Sequence, residues 1–415
     1  MPGVVIVGAG EAGVRVAQCL RAEGYEGDVT LLGEEPYLPY PRPPLSKRVL
    51  TAGQELRSIA SSDDLAESRV SCRINTPVLS IGPDRRVVRL ANGEELSYTA
   101  LVLATGARAR RLPTAGADEV GVAYLRSWDD AMRLKAQLHP GVRVVVVGAG
   151  FIGLELAAAA RMLGAHVTVI EYLPRVLGRA VPAVLASMVA DRHREEGVEL
   201  LLGRSISSFR RAEDGTISVE VGGDSEQPGS LDETISADLV IAGVGAEPEV
   251  SLAAAAGLLI DNGVAVDSSL RSSDPNIYAV GDCCSFPHGL YGGRRVRLEA
   301  WRNAFDQASH VAAVIAGSTV EPFSAVPWFW SDQYNGVLQV SGLADEAVTT
   351  VERPFDGARL LFHLAADGRL VSASAWGTNK SVAKDARVAE MLIAARAHPD
   401  PAALADPDVK MKSLL

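Results

Sequence analysis

The chain has 415 residues, which is too long for one compact core and favours two or three domains. Hydrophobic residues make up 47% of the chain and charged residues 22%, and no apolar run reaches the roughly 18 residues that a membrane span requires. The formal charge of −11 argues against nucleic acid as a partner, because phosphate binding needs clustered cations. The N-terminus enters an apolar strand directly, so we expect no signal peptide and a cytoplasmic protein.

The first predicted element is a βαβ unit. A strand over Val4–Val7 leads into a glycine pattern, a helix is predicted for Glu11–Glu23, and a second strand covers Val29–Leu32. Glycines spaced G-x-G-x-x-G form a tight turn that lets a pyrophosphate approach the backbone at a helix N-terminus. An acidic residue at the end of the second strand would hold ribose hydroxyls. The predicted contacts with this first nucleotide are Gly8, Gly10, Ala12, Gly13, Glu34 and Glu35.

A further apolar strand, ALVLATGA over Ala100–Ala107, breaks at a Thr-Gly pair. An extended FAD needs more than one glycine loop, because its flavin lies far from its adenine. We interpret this segment as a second support for FAD. Its predicted contacts are Ala104, Thr105 and Gly106.

The N-terminal pattern is repeated at Val144–Gly150, where VVVVGAG returns before a predicted helix over Phe151–Leu163 and a strand over Val167–Ile170. Two copies with strand, helix and acidic residue in register predict two bound dinucleotides. A carboxylate at the end of the second strand would oppose the 2′-phosphate of NADPH, so NADH is expected here. The predicted contacts are Gly148, Gly150, Phe151, Ile152, Gly153, Glu155, Glu171 and Gly245.

A last strand, NIYAVGDC over Asn276–Cys283, ends in Gly281-Asp282. The Asp282 carboxylate can accept a hydrogen bond from a ribityl hydroxyl, and its structural alternative is a helix N-cap. Together with the N-terminal loop, this segment favours FAD for the first repeat. The second repeat is then left for the nicotinamide cofactor.

Several stretches of the sequence resemble a known family, the FAD-dependent NADH:ferredoxin reductases of bacterial oxygenase systems. They run in the family's order over most of the chain and are GEEPYLPYPRPPLSK (Gly33–Lys47), LVLATGAR (Leu101–Arg108), VVVVGAGFIGLELA (Val144–Ala157), YAVGDC (Tyr278–Cys283), LEAWRNA (Leu298–Ala304) and PWFWSDQY (Pro327–Tyr334). The pairing of PPLSK with WFWSDQY is the most specific of these features.

The resemblance implies an α/β fold with two Rossmann-like dinucleotide-binding domains, as in glutathione reductase, and a C-terminal α+β domain. It implies a discontinuous FAD domain over 1–112 and 246–322, an NAD domain over 113–245 and a C-terminal domain over 323–415. It also implies that FAD contacts Arg42, Lys47, Val78, Asp282 and Trp301, and that Trp330 lies against or beside the flavin.

Lys47 and Glu155 are the candidate catalytic residues. A lysine near the hydride-accepting nitrogen would stabilise the negative charge that develops on the reduced flavin. Glu155 lies in the first turn of the second repeat's helix, where it could pair with Lys47 or hold the carboxamide of the nicotinamide. The alternatives are a solvated surface lysine and a glutamate that complements the helix dipole.

The four cysteines include no C-x-x-C pair and no cysteine near YPRPPLSK, where related disulfide reductases carry a dithiol. Electrons must therefore leave the flavin one at a time for an outside carrier, and a [2Fe–2S] ferredoxin fits. Such ferredoxins are usually acidic, so a cationic docking face is expected. We assign it to Arg294, Arg295, Arg297 and Arg302, with a solvated loop of scattered charge as the alternative.

Three other functions compete with this interpretation. An NADH oxidase or peroxidase would need a redox cysteine in the PPLSK region. A rubredoxin reductase differs mainly in its partner surface. An apoptosis-inducing-factor-like flavoprotein with a binding role shares the PPLSK segment, but the chain shows no targeting sequence, basic excess or long insertion.

Overall fold

The computed structural model describes residues 2–178, 181–223, 232–378 and 380–415. Strands and helices are numbered in chain order. The strands are β1 (Gly3–Val7), β2 (Val29–Leu32), β3 (Val70–Arg73), β4 (Val78–Gly82), β5 (Val87–Leu90), β6 (Glu95–Leu103), β7 (Ala107–Ala109), β8 (Ala123–Tyr124), β9 (Arg143–Val147), β10 (His166–Glu171), β11 (Glu199–Leu202), β12 (Ile206–Arg211), β13 (Ile217–Val221), β14 (Glu233–Ala237), β15 (Leu239–Ala242), β16 (Ala246–Pro248), β17 (Val264–Ala265), β18 (Ile277–Ala279), β19 (Cys284–His288), β20 (Arg294–Val296), β21 (Trp328–Gln333), β22 (Gly336–Gly342), β23 (Ala347–Phe355), β24 (Ala358–Ala365) and β25 (Leu370–Gly377).

The α-helices are α1 (Glu11–Ala22), α2 (Arg48–Thr51), α3 (Ser62–Glu67), α4 (Trp128–Gln137), α5 (Phe151–Met162), α6 (Ala183–Glu195), α7 (Ser251–Ala255), α8 (Trp301–Ala316), α9 (Lys380–Ala394) and α10 (Pro401–Ala405). Short 3₁₀ helices cover Pro43–Ser46, Gly281–Cys283, Gly289–Tyr291 and Met411–Leu414. Every element predicted around the two glycine patterns is present, with ends within one residue of those expected. Across the part of the chain that the structure describes, no helix is both long and apolar enough to cross a membrane.

The chain divides into two compact units, and each takes up separate stretches of sequence. Unit 1 is formed by Met1–Pro41, Leu56–Arg108 and Glu247–Phe329. Unit 2 is formed by Arg42–Glu55, Ala109–Ala246 and Trp330–Leu415. The first glycine pattern therefore belongs to unit 1, whereas the second belongs to unit 2 together with the PPLSK segment.

Unit 1 is built on a seven-stranded sheet with the order β3-β2-β1-β6-β5-β4, in which β18 also pairs with β6. Strands β1, β2, β3, β6 and β18 are parallel, with Val4 opposite Val29 and Val5 opposite Leu101. A parallel strand is covered on both faces, which is why β1 is apolar and buried throughout. This sheet brings the carboxyl ends of β1, β6 and β18 side by side, so that the residues after each strand meet at one edge.

Unit 2 contains a five-stranded parallel sheet with the order β11-β10-β9-β15-β8 and a three-stranded antiparallel sheet with the order β12-β13-β14. Its C-terminal part forms a third sheet with the order β21-β22-β25-β24-β23, in which β22, β25, β24 and β23 pair antiparallel. Each unit thus carries one Rossmann-like βαβ start, and the predicted α/β fold class is confirmed.

Candidate functional site

The turn after β1 can be made only with glycine. Gly8 has a φ of +110°, and a Cβ built on it would lie 2.2 Å from the Ala104 carbonyl oxygen. A Cβ on Gly13 would lie 1.9 Å from the carbonyl oxygen of Gly8. Gly10 differs, since within the described chain a Cβ there meets no atom within 4 Å. Gly8 and Gly13 therefore shape the turn, while Gly10 leaves open space before α1.

The second glycine turn repeats this geometry. Gly148 has a φ of +95°, and its Cβ would lie 2.7 Å from the Gly243 carbonyl oxygen. A Cβ on Gly153 would lie 2.0 Å from the carbonyl oxygen of Gly148, whereas the nearest atom to one on Gly150 is 3.9 Å away. Helix α5 begins directly after this opening with Phe151 and Ile152. Gly245, also predicted as a contact, has a φ of +105° after β15.

These openings fit the pyrophosphates of two dinucleotides. Each lies at the N-terminus of a 12-residue helix, α1 or α5, where the first N–H groups lack partners within the helix and the dipole favours negative charge. Residues of this chain could therefore hold both predicted cofactors. The predicted contact Ala12 lies in the first turn of α1 and is buried.

The acidic residues that follow the second strand differ between the repeats. In unit 2 the Glu171 carboxylate accepts the N–H of Ala149 at 2.7 Å and that of Leu173 at 2.8 Å, which fixes it beside the glycine turn. In unit 1 Glu34 is exposed, and Glu35 accepts a hydrogen bond from the Tyr40 hydroxyl at 2.5 Å. The Glu171 side chain is thus fixed beside the second turn, and neither Glu34 nor Glu35 is held in this way by the bonds described.

The other predicted FAD contacts in unit 1 lie after β6, after β18, and at the starts of β4 and α8. Ala104 contacts Gly8, and the Thr105 hydroxyl donates to the Glu249 carbonyl oxygen at 2.6 Å, while Gly106 has a φ of +72°. Asp282 lies in a 3₁₀ helix whose N-cap residue is Val280, so its alternative role as an N-cap is wrong. Val78 begins β4, and Trp301 begins α8 and stacks on Phe305 with ring centroids 6.0 Å apart.

Unit 2 holds a buried ion pair of the two candidate catalytic residues. The Lys47 Nζ lies 3.2 Å from Glu155 Oε1, and Glu155 is only 5% exposed. Helix α5 is apolar almost throughout, and Glu155 is buried together with the apolar residues on either side of it. The Ser46 hydroxyl donates to Glu155 Oε2 at 2.5 Å, and the Ser331 hydroxyl donates to Oε1 at 2.6 Å. The predicted pairing of Lys47 with Glu155 is therefore present.

Burial sets the electrostatics of this pair. It raises the pKa of Glu155 above its usual value, while the Lys47 ammonium and the Ser331 and Ser46 hydroxyls oppose that rise. Lys47 also lies 3.6 Å from a carboxylate oxygen of Asp332 and 5.3 Å from the ring centroid of Trp330. The indole N–H of Trp330 donates to Asp332 at 2.9 Å. Trp330 was predicted independently of this pair, and the structure brings it beside Lys47.

Sequence reasoning missed four polar residues around this pair, namely Ser46, Ser331, Gln333 and His193. Ser331 and Gln333 are both buried and lie two positions apart on β21, so they share one face of that strand. The Gln333 amide donates to the Ser331 hydroxyl at 3.1 Å. A polar pair at i and i+2 directly after an aromatic run was the available signal. Arg42, a predicted FAD contact, donates to the Arg126 carbonyl oxygen at 2.5 Å.

The cysteines are buried or half-buried free thiols. Cys283 and Cys284 are fully buried and pack as small apolar side chains. Burial raises the pKa of both thiols, that of Cys284 well above its usual value. Cys19 and Cys72 are half-buried, with pKa values that burial also raises. A reactive thiolate is disfavoured at all four positions.

The arginines of the predicted docking face lie on β20 and α8 in unit 1, where neighbouring groups hold several of them. Arg295 donates to the Ser285 carbonyl oxygen at 2.5 Å and lies 3.6 Å from Asp261. The other ion pairs are Arg297 with Glu299 at 2.6 Å and Arg302 with Asp306 at 3.0 Å. Arg294 precedes Arg295 on β20. The assignment to a docking face stays a prediction.

Comparison with known proteins agrees with this geometry. The sequence model of the family described as pyridine nucleotide-disulphide oxidoreductase matches residues 2–308, and the model described as reductase C-terminal matches residues 328–415. The chain is 41% identical to the anthranilate 1,2-dioxygenase system ferredoxin–NAD(+) reductase component of Burkholderia cepacia, over 99% of this chain and 98% of that protein. It is 43% identical to a rubredoxin–NAD(+) reductase of Pseudomonas putida, over 82% of this chain and 86% of that protein.

A solved structure gives the same answer for the fold. The reductase in a covalent putidaredoxin reductase–putidaredoxin complex aligns with a TM-score of 0.90 at 36% identity, over 100% of this chain and 98% of that one. The resemblance found in the sequence is confirmed, as is the presence of a C-terminal domain after the two nucleotide-binding repeats. The chain belongs to the pyridine nucleotide-disulphide oxidoreductase family, among its FAD-dependent members that carry the reductase C-terminal domain.

Proposed function

We propose that this protein is an NADH:ferredoxin reductase, which passes a hydride from NADH to FAD and then single electrons to a [2Fe–2S] ferredoxin that feeds an oxygenase. The observation that carries the proposal is the combination of two nucleotide turns, a buried Lys47–Glu155 pair and the burial of the Cys283 and Cys284 thiols. The functions of the relatives support it, since they include ferredoxin and rubredoxin reductases.

The residues of this chain would divide the work as follows. Bound FAD would supply a ring that takes up a hydride and returns electrons singly. Gly8, Gly10 and Gly13 would hold its pyrophosphate, and Gly148, Gly150 and Gly153 that of NADH. Fixing both nucleotides by their phosphates orients the reacting rings, which is the main requirement for hydride transfer.

Lys47 and Glu155 would set the charge around the reaction. The Lys47 ammonium is held by Glu155 and Asp332, so its position is fixed before NADH arrives. A fixed cation stabilises negative charge that develops during the reduction at little reorganisation cost. Trp330, beside Lys47, would cover the ring. These assignments, like the other cofactor contacts and the three-domain division with its boundaries at residues 112, 246 and 323, are part of the proposal.

NADH rather than NADPH is the proposed donor. The Glu171 carboxylate is anchored by the N–H groups of Ala149 and Leu173, so it cannot swing away readily from a nucleotide bound at the second turn. A carboxylate at this position binds ribose hydroxyls and repels a 2′-phosphate. Arg175, the nearest cation in sequence, donates to the carbonyl oxygens of Val181 and Gly178, so its guanidinium is already engaged.

A rubredoxin is the second candidate acceptor. The specific observation in its favour is the 43% identity to a rubredoxin–NAD(+) reductase over 82% of this chain. The arginines at positions 294, 295, 297 and 302 are the proposed docking face for either acidic partner, and a cytoplasmic location is proposed for the reaction.

The test compares acceptors for the purified protein loaded with FAD. We expect NADH to bleach the yellow protein within seconds under argon, and cytochrome c to be reduced only when a [2Fe–2S] ferredoxin is added. Faster reduction with a rubredoxin would favour the second candidate. The double substitution C283S/C284S should leave NADH-to-dye activity intact, and its loss would revive a thiol mechanism. A protein that takes up no flavin would overturn the proposal.

A further inference from the structure

A continuous chain of hydrogen bonds runs from the Lys47–Glu155 pair into the interior of unit 2. Ser331 on β21 donates to Glu155 at 2.6 Å, and Gln333 donates to the Ser331 hydroxyl at 3.1 Å. The other end of the Gln333 amide, its Oε1, lies 2.9 Å from Nε2 of His193 on α6. The Tyr334 hydroxyl lies 3.2 Å from Nδ1 of the same imidazole.

Every bond in this chain points in one direction. Gln333 Oε1 can only accept, so His193 carries its proton on Nε2. Its Nδ1 then accepts from the Tyr334 hydroxyl, and each later donor faces the next residue toward Glu155. Hydrogen bonds aligned in this way polarise one another and strengthen the last one. The last acceptor is the Glu155 carboxylate, which therefore receives the combined effect.

The inner members of the chain stay neutral, as this direction requires. His193 is fully buried, and burial lowers its pKa to about 4, so it is uncharged at neutral pH. Burial also raises the pKa of the Tyr334 hydroxyl, which keeps it a donor. Tyr334 has a φ of +55°, a conformation that is uncommon for an aromatic residue, and its ring meets the His193 ring edge-on at 5.1 Å.

We propose that Gln333 and His193 are positioning residues for the Lys47–Glu155 ion pair, which act through Ser331 to keep Glu155 ionised and turned toward Lys47. This inference rests on the proposed function, because that function gives the ion pair its role. It assigns to the C-terminal sheet a second task besides presenting Trp330, namely setting the protonation state of a carboxylate on the NADH-binding helix.

Charged groups lie at both ends of the chain and in different amounts. At the outer end, Glu155 faces Lys47, which also contacts Asp332. At the inner end, Arg192 of α6 and Glu196, which follows that helix, act on His193 with opposite signs, and Arg161 of α5 contributes at Tyr334. Charges of both signs thus lie near the inner end, whereas the cation that contacts Glu155 is Lys47. The hydrogen-bond chain therefore acts on the protonation of Glu155, the carboxylate at its outer end.

The experiment follows Glu155 directly in the oxidised, FAD-loaded enzyme without NADH. Infrared spectra of protein labelled with ¹³C-glutamate, minus those of the Glu155→Gln variant, give the carboxylate band of Glu155 as a function of pH. In Gln333→Met, which keeps the volume but loses both amide bonds, we expect the titration midpoint to rise by about half a pH unit, because one aligned donor is lost. His193→Leu should shift it in the same direction by less.

Two variants separate positioning from packing. His193→Gln places an amide N–H near the former Nε2 and should restore the wild-type midpoint. His363→Leu removes another fully enclosed histidine of unit 2, which binds Thr350 and Ser374, and should leave the midpoint unchanged. An unchanged midpoint in both folded Gln333→Met and folded His193→Leu would overturn the proposal, as would an equal shift in His363→Leu.

A kinetic readout separates this inference from the proposed function. In Gln333→Met the acid limb of the pH profile for flavin reduction should move by the same amount, with KM for NADH unchanged and kcat lowered. If Glu155→Gln itself reduces with NADH at the wild-type rate, the proposed role of the ion pair fails, while the infrared titration still reports whether the chain controls Glu155.

Discussion

The two glycine turns of this protein share one backbone and differ in the side chains around it. The Gly8 N–H donates to the Leu32 carbonyl oxygen and the Gly148 N–H to that of Ile170, each at 2.8 Å. The third glycine of each turn lies against the carbonyl oxygen of the first, with room for no Cβ. The part of the motif that faces phosphate is therefore the same in both units.

The two units differ at the residue that follows each of these bonded carbonyl groups. The register of these bonds places Gly33 of unit 1 where unit 2 has Glu171, and a Cβ on Gly33 would lie 2.8 Å from the Ala9 side chain. Likewise Arg15, which pairs with Glu11 on the helix surface, stands where unit 2 has the buried Glu155. We therefore expect the shared backbone geometry to favour binding of a dinucleotide. The side chains that differ would determine which dinucleotide binds and how it reacts.

The largest effect is expected where the two turns are most alike. Gly13→Ala and Gly153→Ala would each force the turn open, because the new Cβ would lie 1.9 or 2.0 Å from a carbonyl oxygen. We expect Gly13→Ala to be purified without flavin, and Gly153→Ala to keep its flavin but to be reduced by NADH at least about 10²-fold more slowly. Absorbance ratios and stopped-flow bleaching measure the two effects.

The matched controls for these variants are Gly10→Ala and Gly150→Ala, where a Cβ has space. They should keep the melting temperature of the protein without nucleotide and weaken only nucleotide binding. If Gly153→Ala lost flavin while Gly13→Ala retained it, the assignment of FAD to the first turn and NADH to the second would have to be reversed.

A smaller effect should distinguish the two helix positions. Lys47→Met leaves the buried Glu155 without its cation, and we expect hydride transfer in single turnovers to slow by about 10²-fold, with Lys47→Arg recovering part of the rate. Arg15→Met, at the corresponding position of α1, breaks a half-buried ion pair with Glu11 and should change the rate by no more than about twofold. Equal losses in both variants would remove the distinction between the repeats.

The smallest expected effect concerns the acidic residue. Glu171→Gln keeps the shape of the side chain but removes its charge, and we expect the Kd of NADH to rise about tenfold with less discrimination against NADPH. Glu199→Gln on the neighbouring strand β11, where the carboxylate is exposed and bonded to Thr168, serves as the control. Tighter NADH binding in Glu171→Gln would contradict the assigned role.

The βαβ units could be read from the sequence because their signals are local. Glycine spacing, β-branched strands such as Val144–Val147 and helix periodicity all lie within about 30 residues. The Lys47–Glu155 pair was expected from the resemblance together with the position of Glu155 in its helix turn. The βαβ units and the Lys47–Glu155 pair were thus both inferred from short stretches of sequence.

The partners of that pair could not be predicted in the same way. His193 and Gln333 are 140 positions apart, and only the packing of α6 beside the C-terminal part of unit 2 brings them into contact. The contacts of Arg295 could not be predicted for similar reasons. Its partner Asp261 lies far away in the sequence, and a backbone carbonyl group such as that of Ser285 has no sequence signature. Long-range polar contacts depend on tertiary packing, which no local pattern encodes.

The burial of the thiols affects how well the enzyme resists oxidation during turnover. Reduced flavins exposed to oxygen generate peroxide, and thiolates are the side chains that peroxide attacks first. Because burial raises the pKa of all four thiols, few are ionised at neutral pH, and alkylating agents meet the same obstacle. Turnover should therefore be indifferent to the glutathione balance of its surroundings, unlike that of a disulfide reductase built on the same scaffold.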